Sequence, residues 1–380
     1  MSKSTIAVLG GSFLQSDLVD TALDYGLEVH ILDGNANCFL RNHEKCTFHH
    51  INFSDENKVV EFCKKHNIDF VYAPCNEVGN VISSRIAASI GFQYNTEEVV
   101  HRTIDKGEQR KSCVGLAKMR SPKNMVYSGS MDAITSSLSF PMVVKPSNTS
   151  AGRGITGVEN RDELRQAITE AEQHIREGGI LLIEELIRGK QLSVETISVN
   201  GKHYVVGITH EIVEGEPLFI ERCHYMNADI HNTYKPVVEP AVIELLDALG
   251  VQWGPCHIEL KVNELNDVTL IEVASRMGGL RDRLMQMAGY PNYNELILEA
   301  YLTGKIDPSK LHPPTHHGLL NSMTRVDDLH KVVFGKRDHT FHSLFLYDRG
   351  PVYNPQNIMD AFGYAYFTSE KPLIEYGLNP

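Results

Sequence analysis

The chain has no C-x-x-C pair. Its seven cysteines (Cys38, Cys46, Cys63, Cys75, Cys113, Cys223 and Cys256) are odd in number and scattered, which argues against a disulfide framework or a structural zinc site and fits a reducing compartment. No apolar run approaches the ~18 residues of a membrane span, and no basic stretch with an apolar core precedes the first strand in "STIAVLGG". A cytoplasmic protein without a membrane partner is the expectation. Positive charge is also scarce. The 36 basic and 48 acidic side chains leave a net charge of -12, which disfavours nucleic acid as a partner and requires any anionic ligand to find a locally positive pocket. There is no internal repeat and no low-complexity segment.

What is present is a change of pattern along 380 residues, a length that suggests two or three structural units. The first hundred residues alternate apolar strands with amphipathic helices ("IAVLGG", "DLVDTALDYG", "EVHILDG", "ENKVVEFCKKHN", "DFVYAPC", "VISSRIAASIG"). Such βαβ alternation predicts a parallel sheet covered by helices, a Rossmann-like α/β domain. From about residue 104 a small α+β unit follows. Its helix carries Leu164, Ala167, Ile168, Ala171 and Ile175 at helical spacing, with Asn160 and Asp162 as caps. Beyond it, "VEPAVIELLDALG" reads as a helix, "CHIELKVNELNDVTLIEVASR" as a strand pair and "LRDRLMQMAG" as a helix. After "IDPSKLHPPTHHG" comes a strand-rich tail, and the three histidines of that break mark an exposed connection rather than a metal site.

Several motifs carry chemistry. "VVKPSNTSAGRG" (143–154) ends a strand in Lys145 and continues into a loop of small residues able to turn backbone N–H groups toward an anion. Its order is wrong for a P-loop, where lysine follows the glycines, and a plain surface hairpin is the alternative. "VLGGS" (8–12) with Asp33 lacks the full G-x-G-x-x-G and reads as a tight turn rather than an NAD site. Glu259 and Glu272 would face each other across a hairpin centred between residues 265 and 266. Facing carboxylates repel unless a cation lies between them, and Mg²⁺ is the natural choice; two solvated glutamates are the alternative. Arg276 follows the second carboxylate closely enough to neutralise a phosphoryl oxygen. "ILLIEELIRGK" (180–190) is an apolar strand that could offer its edge to an adenine ring or serve as core.

In this order the motifs resemble the ATP-grasp superfamily over about residues 1–300. The resemblance implies that Lys106 and Lys145 contact the phosphates of ATP, and that residues 147–154, with Ser147, Ser150, Gly152, Arg153 and Gly154, fold over them. It implies a hinge of Glu184, Glu185, Leu186 and Ile187 for adenine, and Mg²⁺ (or Mn²⁺) on Glu259 and Glu272. Two positions depart from the family pattern. Gln191 stands where a ribose-binding glutamate is usual, and Ala274 where an asparagine metal ligand is usual. "EVASRMGG" and "FIERCHYMNADI" look like the bacterial L-amino acid ligase branch, which places Glu221, His224 and Arg281 near substrate. The implied organisation is a Rossmann-like domain (1–104), a lid subdomain (105–187), a catalytic subdomain (188–305) and a strand-rich C-terminal subdomain (306–380). The implied activity joins a small-molecule carboxylate to an amine through an acyl phosphate, with Arg276 and Lys145 as catalytic groups, and a homodimer is compatible with it. A small-molecule kinase and a silent nucleotide-binding regulatory protein are the rival readings.

Overall fold

A computed structural model describes residues 4–328, 340–347 and 350–370. Three sheets organise them. The first is fully parallel, in the order Thr47–His50, Glu28–Asp33, Thr5–Leu9, Phe70–Tyr72. All five residues of Thr5–Leu9 are buried, as expected of a central strand covered on both faces. The turn after it is tied down by Asp33, whose Oδ2 accepts from Gly11 N at 2.7 Å. Asp33 is thus a structural staple of the glycine turn.

The second sheet is antiparallel, in the order Asn124–Val126, Leu181–Glu185, Met142–Pro146, Thr156–Val158. The helix Arg161–Glu172 covers it with Leu164, Ala167, Ile168 and Ala171, all buried. Asn160 Oδ1 caps that helix by accepting from the N–H groups of Asp162 and Glu163, both at 3.1 Å. The helix ends before Ile175, which packs against the same core from beyond the last turn.

The third sheet has nine strands, and two expectations change here. Strand Met119–Arg120 pairs in parallel with Val268–Ala274, so the start of the segment expected in the lid packs with the large sheet. Nor do the tail strands form a sheet of their own: His317–Met323 pairs with Glu221–Met226 and carries Gly363–Ser369 and Thr340–Leu346 beyond it. The edge of Glu221–Met226 would otherwise present unpaired backbone groups, and the tail satisfies them. Residues 329–339, 348–349 and 371–380 of the expected C-terminal unit lie outside the described residues. The helix expected around residue 238 begins earlier and runs Ala228–Leu249, with Pro236 and Pro240 inside it and Asn227 as its cap. No helix among the described residues is long and apolar enough to cross a membrane.

A histidine cluster braces the edge of the parallel sheet. His30 Nδ1 lies 2.9 Å from His49 Nε2, the His66 ring is 5.3 and 5.5 Å from theirs, and Phe62 packs among them. Glu28 approaches His30 Nε2 at 3.3 Å. Burial, followed by the charges of His30, His66 and Lys65, holds His49 down at about 4, and burial likewise lowers His30. An unfolded histidine takes up its proton near pH ~6.5 while these two resist it, so their contribution is intact above that pH and is lost as pH falls toward 4. The melting temperature should therefore drop between about pH 7.5 and 5, and by several degrees less in a His49→Gln variant. Equal drops would place the acid sensitivity elsewhere.

Candidate active site

The hairpin Gly254–Val262 / Val268–Ala274 supplies the acidic centre. Near its turn the pairs are Val262 with Val268, Lys261 with Thr269 and Leu260 with Leu270, and the register then shifts so that Glu259 faces Glu272. The turn is therefore centred on Leu265, and one extra residue on the return strand, Ile271, brings the two carboxylates opposite each other. Burial, then the Glu211 and Glu272 carboxylates, pushes Glu259 up to about 8. The cluster carries more negative charge than it can hold alone.

Part of that charge is met by histidine. His257, two residues before Glu259 on the same strand face, lies 2.5 Å from Glu195 Oε1 through Nδ1 and 3.3 Å from Glu259 Oε1 through Nε2. Burial opposes its protonation, but Glu195 and Glu259 outweigh burial and raise it to about 10. Gly278 N donates to the other oxygen of Glu195 at 3.2 Å. A Cβ on Gly278 would sit 2.6 Å from His257 Nδ1, so only glycine fits. Glu211, His257 and Glu259 bring atoms within 4.8 Å of one another, and the two carboxylates are hard oxygen ligands able to hold a divalent cation.

The cations come from elsewhere in the chain. Asp105 caps the helix Lys106–Ser112 by accepting from Glu108 N at 3.0 Å, and the helix places Lys106 and Arg110 on one face, four residues apart. Lys106 Nζ meets Glu272 Oε2 at 2.8 Å and Thr149 O at 2.8 Å. Lys145 Nζ meets Glu184 Oε2 at 2.6 Å, while Arg110 reaches both oxygens of the same carboxylate, at 2.6 and 3.1 Å. Burial of Glu184, which is 1% exposed, pushes its carboxyl up, but Arg110 and Lys145 prevail and hold it at about 2. The Glu184 side chain, expected at the adenine hinge, is thus a buried counter-ion.

Strand alternation turns the next residue the other way, and Glu185 Oε1 accepts from Lys123 N at 2.8 Å. Leu186, Ile187 and Gln191 line the cleft together with Glu185, and Lys261, which the motifs did not single out, donates to Ile187 O at 3.1 Å.

The small-residue loop closes one side. Ala151, Gly152 and Gly154 all have positive φ, of 59°, 73° and 72°, a backbone that favours glycine. Ala151 and Gly152 line a cleft that opens to solvent, and Leu218 and Phe219 line it with them. Ser147, Ser150, Arg153 and Gly154 do not line it. Ser147 is buried and its Oγ donates to Asp105 Oδ2 at 2.5 Å, fastening the loop to the Lys106 helix. Arg153 folds back onto Ser150 Oγ at 3.0 Å.

The remaining expected residues surround the acidic centre. Arg276 pairs with Glu77 of the parallel-sheet domain at 3.1 Å and donates to Met277 O at 3.2 Å, while its Nε is buried without a partner. Arg281, 3% exposed, binds Glu211 Oε1 at 2.7 Å and lies 3.1 Å from His224 Nδ1. His224 Nε2 is 2.7 Å from Glu221 Oε2, and Glu221 lines the cleft. Gln191 Nε2 donates to the second oxygen of Glu211 at 3.0 Å. Glu211, Glu195, His257 and Arg110 escaped the motif search. Period-two placement of His257 before Glu259, and the i, i+4 step from Lys106 to Arg110, are the signals that point to two of them.

Residues 138–283 match the family model of the ATP-grasp domain. That stretch resembles the ATP-grasp domain. A D-alanine–D-alanine ligase of Hydrogenovibrio crunogenus is 23% identical over 44% of the chain and 55% of its own length. The carbamoyl phosphate synthase large chain of Vibrio cholerae is 28% identical over 46% of the chain and 16% of its own length. The chain thus spans about half, or less, of the length of these curated relatives. Among solved structures, an L-amino acid ligase from Bacillus licheniformis superposes with a TM-score of 0.79 at 19% identity, covering 98% of this chain and 94% of that one. A carboxyaminoimidazole ribonucleotide synthase from Aspergillus clavatus, complexed with ATP, superposes at 0.76 with 16% identity, covering 97% and 94%. The chain shares the fold of these two structures over nearly its whole length.

Two outcomes test the geometry. If Glu272 holds a divalent cation with Glu259 as well as meeting Lys106, Mn²⁺ binding to Glu272→Gln in the presence of ADP, read by electron paramagnetic resonance, should weaken about ten-fold or more. Unchanged affinity would remove Glu272 from the metal set. A loop that closes over nucleotide should gain protection on binding, so cleavage within residues 147–154 should slow when ADP and Mg²⁺ are added. Equal cleavage rates would return the loop to a plain hairpin.

Proposed function

We propose that the protein is an ATP-dependent carboxylate–amine ligase acting on amino acids. The observation that carries this reading is the convergence, at one cleft beneath one glycine-bearing loop, of Lys106, Lys145 and the paired carboxylates Glu259 and Glu272. A Mg²⁺ held by Glu259 and Glu272 would neutralise those carboxylates and the phosphate oxygens together.

The chain's own residues do the rest. Leu186 and Ile187 seat the adenine, Gln191 faces the ribose, and Lys106 and Lys145 hold phosphate oxygens. A substrate carboxylate oxygen attacks the γ-phosphorus, and ADP leaves. The amine nitrogen then attacks the acyl carbon, inorganic phosphate leaves, and the nitrogen sheds its extra protons to give the amide. No side-chain nucleophile takes part, so rate comes from alignment and charge neutralisation. Arg276 supports the transferring phosphoryl group, exchanging its contact with Glu77 for one with the developing charge. Arg281 offers a guanidinium for a substrate carboxylate, and Glu221 with His224 an acceptor for an ammonium group. That pairing, and the likeness in fold to an L-amino acid ligase, support amino acids as the substrate class.

A matrix of amino acids assayed with ATP and Mg²⁺ should release ADP and phosphate in equal amounts together with a dipeptide seen by mass spectrometry. ADP without free phosphate, accompanied by a stable phosphorylated product, would make the protein a kinase. In the ligase, Arg276→Ala should lower kcat about a hundred- to a thousand-fold while changing nucleotide affinity little. Nucleotide binding with no turnover across the matrix, and no effect of Arg276→Ala, would leave a regulatory binder.

A further inference from the structure

We infer that Arg110 is a positioning residue that sets the charge of the nucleotide cleft: by engaging Glu184 it leaves the positive charge of Lys145 available to an anionic ligand. The inference rests on the reading of the cleft as a nucleotide site. Lys106 is met by Glu272 at 2.8 Å and Lys145 by Glu184 at 2.6 Å. These two lysine–glutamate pairs cancel, and a cleft made of them alone would offer an anionic ligand no net charge. In a chain of net charge -12, such a cleft would repel a polyphosphate.

Arg110 changes the balance. Its Nε and Nη2 fork across both oxygens of Glu184, Nη2 also donates to Ile271 O at 2.7 Å, and Nη1 is buried with no partner among the described residues. It is 3% exposed and absent from the cleft wall, so it acts on a ligand through Lys145 and not by touching it. With Glu184 satisfied from behind by a bidentate guanidinium, the trio Arg110, Glu184 and Lys145 carries one net positive charge. Lys145 need spend only one of its three N–H donors on Glu184 and can direct the others into the cleft. Arg110 and Glu184 are buried behind the cleft, where solvent screens their charges little.

The test is calorimetric titration of the full-length protein with ADP and, separately, adenosine, both in the presence of Mg²⁺. Arg110→Met should weaken ADP binding about ten-fold or more while adenosine affinity stays within about two-fold, because only the phosphates sense the lost charge. Arg110→Lys, which keeps the charge and loses the fork, should retain most of the ADP affinity. The double variant Arg110→Met/Glu184→Gln removes one charge of each sign and leaves Lys145 facing a neutral amide, its charge free for the phosphates. It should restore ADP binding to near the wild-type value, and it provides a folded comparison should Arg110→Met be unstable. Unchanged ADP affinity in Arg110→Met, equal losses for ADP and adenosine, or a double variant weaker for ADP than wild type by ten-fold would each overturn the inference. Wild-type protein that binds neither ADP nor ATP would overturn the nucleotide reading itself.

Discussion

Two carboxylates placed face to face on neighbouring strands are the constraint around which the rest of the site is built. Glu259 and Glu272 repel across the hairpin, and burial makes the repulsion worse by withdrawing water. Each cationic element nearby can be understood as an answer to that. Lys106 comes from a helix in the preceding segment to meet Glu272, His257 is held protonated between Glu195 and Glu259, and the tight path at Gly278 exists so that Glu195 can reach His257. A divalent cation on these carboxylates would complete the balance.

The same logic joins parts of the chain that are far apart in sequence. Lys106 and Arg110 leave one helix face for two different carboxylates, Glu272 on the large sheet and Glu184 on the lid sheet. Ser147 ties the start of the loop to the cap of that helix. The helix therefore links the lid sheet to the large sheet through polar contacts. Arg276 and Glu77 make a comparable bond between the catalytic sheet and the parallel-sheet domain, so all three sheets meet at charged residues beside the cleft.

How far the sequence could be read depended on the range of the forces involved. The parallel sheet, the helix Arg161–Glu172 with its Asn160 cap and the strand pair ending in Arg276 were legible because burial repeats at a fixed period along a single segment. The facing of Glu259 and Glu272 was legible from a two-strand register, although the turn itself lies half a residue from the expected centre and Ile271 makes up the difference. The start of the helix Ala228–Leu249 was not, because Pro236 and Pro240 argue locally against a helix that packing against the large sheet sustains.

By itself, the sequence determined the local elements, the lysine before a small-residue loop, the paired glutamates and the demand for a positive pocket in an acidic chain. Only the tertiary structure decided that Glu184 turns inward as a counter-ion, that Ser147 anchors rather than contacts, that the tail strands extend the catalytic sheet, and that Glu195, Glu211, His257 and Arg110 belong to the site. Periodicity records which face of an element is apolar, a property of neighbours along the chain. The partner of a buried charge is chosen across sheets, by which opposite charge the packed backbone brings within about 3 Å of it, and no local pattern encodes that choice.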